Sequence, residues 1–164
     1  MLLKAIVFNT TSKQPKGYTT MSSYKHILVG LDLSPESQQV IDRVKFLFSN
    51  TETKISICHI LEPLAFTYGG DIPVDLSDVQ TQLTDQANLR LSTLGAELDV
   101  DPADQHVILG HPAQEMHSMA NAEDIELIVV GSHGRHGLSL IFGSTSNSVL
   151  HGAQCDVLAV RIKN

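Results

Sequence analysis

Five short runs rich in Ile, Leu and Val, at residues 26–31, 54–60, 105–109, 125–130 and 156–162, lack the in-and-out alternation of a half-exposed strand. Strands that are apolar on both faces must be covered on both, and a parallel sheet sandwiched between helices meets that requirement. The stretches between the runs carry helix signals. Ser34-Pro35-Glu36 reads as an N-cap, a first-turn proline and an acid at the positive helix end, and Val40, Ile41, Val44 and Leu47 then share one face. Leu76, Val79, Leu83, Ala87, Leu91, Leu94 and Leu98 recur at spacings of three and four, which predicts a longer amphipathic helix ending near Gly95 or shortly after. Pro112 opens a third helix carrying Met116 and Ala120, and Ser144 a fourth carrying Val149 and Leu150. Strand and helix thus alternate four times before a closing strand. That order predicts an α/β fold, an open doubly wound parallel sheet with helices on both faces.

A chain of 164 residues is one domain's worth, long enough to bury roughly 68–70% of its unfolded surface without a metal or disulfide. Eleven Lys and Arg against eighteen Asp and Glu give a net charge of −7 with no basic block, which argues against nucleic acid as a partner. No apolar run approaches the ~20 residues of a membrane-spanning helix, so no membrane partner is expected. Cys58 and Cys155 lie far apart, each in a strand-like run or at its edge, as reduced buried thiols would; a redox pair is the less supported alternative. Residues 1–20 begin with an apolar patch, 2–8, continue polar, and lack a small-residue cleavage site. Met21 stands just before the first predicted strand. Residues 1–20 are therefore expected as an N-terminal extension outside the fold and 21–164 as the domain, with an extra strand or a regulatory tail as the alternative. The connection 61–75, with Pro63, Gly69, Gly70 and Pro73, is long for this architecture and reads as a functional flap or a disordered link.

In doubly wound sheets ligands bind beyond the carboxyl ends of the strands, where the winding reverses. The first run ends in Gly30-Leu31-Asp32-Leu33-Ser34 and the fourth in Val130-Gly131-Ser132-His133-Gly134. Asp32 could accept a ribose hydroxyl, or bind Mg²⁺ through water beside phosphates; steadying the turn before the first helix is an equal alternative. Gly131 and Gly134 permit positive φ and close backbone approach. Gly143 lets an anion reach the free N–H groups of Ser144 and Thr145 at a helix start, where the hydroxyls of Ser144, Thr145 and Ser146 add donors. Taken singly, such glycines are also ordinary turn punctuation. His133, His136 and His151 have no Cys or carboxylate to complete a ligand set, so no structural metal is expected. No P-loop lysine is present and Arg135 is the one cation within the motif, so any ATP hydrolysis is expected to be slow and incidental. Ser132 and His133 are adjacent and lack a strained nucleophile turn, so no catalytic residue is assigned.

Residues 25–37, Gly110-His111-Pro112 and residues 131–160 together resemble the universal stress protein family, and the likeness covers about residues 24–162. The resemblance implies a five-stranded, Rossmann-like sheet of the nucleotide-binding α-hydrolase-like kind, in a cytoplasmic stress-response protein that is commonly a dimer through its last strand. One branch of the family binds ATP or AMP through glycine, two residues, glycine, nine residues, glycine, then Ser or Thr. Gly131, Gly134, Gly143 and Ser144 fall on those positions, with eight residues rather than nine in the longer gap. By the same resemblance Gly30, Leu31 and Asp32 flank adenosine and Ile60 lines the base. Val130, Gly131, His133, Gly134, Arg135, Gly143, Ser144, Thr145 and Ser146 surround ribose and phosphates. The shortened gap bears on distal phosphates more than on adenosine, so AMP is expected to be tolerated better than ATP. The alternatives are a nucleotide-free interaction dimer and a weak ATPase. In the last run Val157, Ala159 and Arg161 alternate with Leu158, Val160 and Ile162 near the chain end, an edge open to a second copy or guarded by Arg161 and Lys163.

Overall fold

The computed structural model describes residues 5–8, 24–63, 77–133 and 144–163. In chain order the elements are β1 (Ala5–Phe8), β2 (His26–Gly30), α1 (Ser37–Phe48), β3 (Lys54–Leu61), α2 (Ser77–Glu97), a 3₁₀ turn (Pro102–Asp104), β4 (Gln105–Leu109), α3 (Pro112–Ala122), β5 (Leu127–His133), α4 (Ser144–Gly152) and β6 (Asp156–Ile162). All six strands pair in parallel, in the order β1-β6-β5-β2-β3-β4. The five expected strands are β2 to β6. The sixth, β1, comes from the segment expected as an N-terminal extension, and pairs with the outer edge of β6 from Ala5↔Val157 to Phe8↔Val160.

Each face of the sheet has its own core. Ile27, Val29, Leu31, Val129, Leu158 and Val160 pack with Val40, Ile41, Val44 and Phe48 of α1 and with Ala87 and Leu91 of α2. On the other face Leu28, Cys58, Ile60, Ile128, Val130 and Val157 pack with Met116, Met119 and Ala120 of α3 and with Val149 of α4. Ile27, Leu28 and Val29 are all fully buried, which is why the sequence there is continuously apolar. Cys58 is buried and its thiol is pushed up to about 12, mainly by desolvation; Cys155 is half-buried and also raised. Both behave as neutral packing groups.

The helices depart from the sequence pattern in places. Ser34 is not an N-cap: α1 begins at Ser37, and the Ser34 hydroxyl instead donates to Asp32 Oδ1 at 2.7 Å. In α2 the apolar stripe is longer than the surface available to cover it. Ala87, Leu91 and Gly95 are buried, whereas Val79 and Leu83 are 46% and 36% exposed. At ~1.5 Å per residue this helix outruns strands of five to eight residues, and its first turns overhang the sheet. The helix ends at Glu97, shortly after Gly95 as expected. It stops where Asp99 takes a left-handed φ of 53° and the Val100 N–H bonds the Gly95 carbonyl at 3.0 Å. The end of α3 repeats this, with Asp124 at φ 51° and the Ile125 N–H bonding the Ala120 carbonyl at 3.0 Å. In both, the apolar residue after the left-handed position is buried, as a Schellman stop requires. Ile125, predicted in a strand, belongs to that stop.

The amino edge of the sheet is tied together by Tyr24, whose hydroxyl donates to Asp156 Oδ2 at 2.7 Å, linking the entry of β2 to β6. Burial, then the Asp156 bond, push the phenol up to about 12 from an ordinary 10.0. Because the folded value lies above the unfolded one, this contribution is whole below pH 10 and fades as pH climbs through about 12. The stability difference between the native protein and Tyr24→Phe is therefore expected to shrink over that alkaline interval in urea titrations, and a constant difference would refute the linkage.

Candidate functional site

The strand order reverses between β2 and β5. From β2 the chain moves outward through β3 to β4, then returns to lay β5 on the other side of β2, with Gly30 opposite Val130. The connections that follow the two strands leave by opposite faces: α1 packs in the first core and α4 in the second. A crevice therefore opens beyond their carboxyl ends. Gly30, Leu31 and Asp32 stand on one side of it and Val130 and Gly131 on the other.

Gly30 ends β2 against the side chains of Met116 and Val130. A Cβ there would come within 2.6 Å of Met116 Cε, so the missing side chain leaves room for the end of that methionine against the strand. Leu31 is buried, and its N–H extends the β2 ladder to the Cys58 carbonyl at 2.9 Å. The Leu31 carbonyl accepts from His59 Nδ1 at 2.8 Å, which fixes both the ring and the backbone at the strand end. No sequence pattern marks His59, because the bond spans 28 residues. Ile60, two strands' width from β5, is buried in the second core.

Asp32 is exposed and turns the chain. Its Oδ1 accepts from the Ser34 N–H at 3.0 Å, the Ser34 hydroxyl at 2.7 Å and the Ser37 hydroxyl at 2.7 Å. These bonds hold Leu33 at φ 58°, a left-handed conformation that costs a leucine of order 1–3 kcal/mol. Burial of the Leu33 side chain in the first core and the bonds to Asp32 offset that cost. The turn-steadying role of Asp32 is thus present in the geometry.

Gly131 differs from its expected role. It is an internal residue of β5, opposite Val160, and Ser132 and His133 continue the strand to pair with Arg161 and Ile162. The glycine does not make the turn. Its lack of a side chain leaves room instead between Val40 and Ile162, whose atoms lie 3.3 and 3.4 Å from where a Cβ would sit. Gly134, Arg135 and Gly143 lie outside the described residues, as does most of the connection 61–75. Beyond them Ser144 begins α4, with Thr145 exposed and Ser146 buried. Since α4 returns the chain from the carboxyl end of β5 to the amino end of β6, its first turn and unpaired N–H groups lie on the carboxyl side of the sheet, the side of the crevice.

Removing the Asp32 carboxylate should loosen this turn whether or not a ligand is present. Asp32→Ala is expected to lower the unfolding free energy by about 1–2 kcal/mol, as losing a helix cap does, measured by urea denaturation without ligand. Unchanged stability would mean that the turn is held by packing of Leu33 alone.

Residues 23–161 match the sequence signature of the universal stress protein family. Universal stress protein A homolog 2 of Coxiella burnetii is 41% identical over 145 residues, covering 87% of this chain and 99% of that protein. Among solved structures, the hypothetical protein MJ0577, whose biochemical function was assigned from its structure, superposes with a TM-score of 0.69 at 24% identity, covering 86% of this chain and 98% of that one. A universal stress protein crystallised in complex with cAMP superposes with a TM-score of 0.53 at 24% identity, covering 85% and 98%. No helix among the described residues is long and apolar enough to cross a membrane.

Proposed function

This chain belongs to the universal stress protein family, and we propose that it binds an adenine nucleotide, AMP or ATP, in the crevice between the carboxyl ends of β2 and β5. The observation that carries this reading is the Gly30↔Val130 pairing, which sets Gly30-Leu31-Asp32 beside Val130-Gly131 at the reversal of strand order. Gly30, Leu31 and Asp32 flank the adenosine and Ile60 lines the base. Val130, Gly131, His133, Gly134, Arg135, Gly143, Ser144, Thr145 and Ser146 surround ribose and phosphates, with the N–H groups at the start of α4 facing the phosphates. Mg²⁺ accompanies ATP, held to Asp32 through water. The cAMP complex of another universal stress protein supports an adenine ligand.

Nucleotide occupancy acts through the protein's own assembly and partners, as a cytoplasmic stress-response regulator, and not through turnover. Equilibrium titration of the full chain is expected to give saturable AMP binding, with ATP weaker because the Gly134 to Gly143 gap is one residue short. Gly131→Val, which would crowd Val40, Ile162 and the crevice together, is expected to weaken both. Absence of binding by either nucleotide at millimolar concentration overturns the reading in favour of a nucleotide-free interaction dimer.

The assembly is a homodimer through β6. Its outer edge carries β1 over Val157 to Val160, so self-pairing requires β1 to leave. Four residue pairs at a sheet margin are a small barrier, since short edge strands open at the low end of the local stability range. A chain begun at Met21 is therefore expected to dimerise more tightly than the full chain in sedimentation equilibrium. Identical association of the two would show that β6 is not the dimer edge.

A further inference from the structure

At the amino edge of the sheet, away from the crevice, the tertiary fold gathers three potential ligands that are well separated in sequence. Asp104 closes the 3₁₀ turn, His106 is the second residue of β4, and Glu123 follows the last residue of α3. One ligand atom from each lies within 4.8 Å of the others, and all three side chains are half-buried. Three features set this group apart from an ordinary charged margin. His106 Nε2 is shut off from solvent and has no hydrogen-bond partner. A buried ring nitrogen left unpaired costs on the order of 1–3 kcal/mol, a cost that a ligand on that nitrogen would remove. The local field is negative. The Lys54 ammonium sits 2.7 Å from Asp104 Oδ1, a cation already drawn to this carboxylate. Finally, Glu123 is anchored from behind: His26 Nδ1 donates to its backbone carbonyl at 3.1 Å, and His26 Nε2 is paired with the Ser56 hydroxyl at 2.8 Å.

We propose that Asp104, His106 and Glu123 form a binding site for a divalent metal of the zinc class, with water completing the coordination. One imidazole and two carboxylates suit Zn²⁺ better than Mg²⁺, which takes oxygen donors and keeps its waters. Bonds of about 2.0–2.2 Å bring tetrahedral donors to roughly 3.3 Å from one another, so the observed cluster closes by side-chain rotation of an ångström or so. Lys54 is the resident competitor: its ammonium pairs with the Asp104 carboxylate that the ion would also use. Bound there, the ion would clamp the end of α3 to the start of β4. The three residues lie at the amino ends of the strands, and the site is independent of nucleotide.

The test is calorimetric titration of the chelator-treated full chain with Zn²⁺, with Mg²⁺ in excess as the oxygen-donor control. One tight site is expected, weakened roughly tenfold or more by His106→Gln and by Glu123→Gln, and strengthened by Lys54→Ala. Lys54 is exposed and its loss should leave the fold intact, so this variant remains informative should His106→Gln unfold. Zn²⁺ affinity unchanged in Lys54→Ala, binding that survives His106→Gln, or displacement by Mg²⁺ would each overturn the proposal.

Discussion

The structure depends on the pairing of β2 with β5. Residues separated by a hundred positions, Ile27 with Leu127 through Gly30 with Val130, lie side by side only because the chain leaves β2 on one side, builds β3 and β4, and comes back. That return buries both faces of β2 and makes it the centre of two cores. It also leaves the two strands without a shared covering helix at their carboxyl ends, so the opening that defines the candidate site follows from the topology.

The turn after β2 illustrates how that opening is maintained. A leucine in a left-handed conformation is unfavourable alone, and Asp32 and Leu33 act against that cost from two directions, one by hydrogen bonds and the other by burial. His59 reaches across from β3 to hold the preceding carbonyl. The strand end is thus pinned through its backbone. At the far end of the same strands the pattern is different: charged and aromatic side chains, Tyr24 with Asp156 and Lys54 with Asp104, bridge neighbouring elements.

Much of this was legible in the sequence, and the exceptions have physical causes. Continuous apolarity identified β2, β3, β5 and β6 because each is covered on both faces, and Pro112 marked the start of α3 because its ring suits a first helical turn. The stripe in α2 was overread, since periodicity reports which residues could share a face and not how far the sheet beneath extends. Ser34 and Gly131 were assigned to a cap and a turn on residue type. Ser34 belongs instead to the Asp32 turn, three residues before α1 begins, and Gly131 is drawn into the β5–β6 ladder by the strand beside it.

The sequence by itself determined the fold class, the two-sided burial and the family, because those rest on local apolar runs, helix punctuation and short contiguous motifs. Tertiary structure alone decided the register that sets Gly30 opposite Val130, the bond from His59 to Leu31, the position of β1 on the edge of β6, and the meeting of Asp104, His106 and Glu123. These are relations between residues far apart along the chain. They come into being only when the parallel ladders fix the register, since apolar pattern specifies which side of a strand faces inward but not which strand lies next to it.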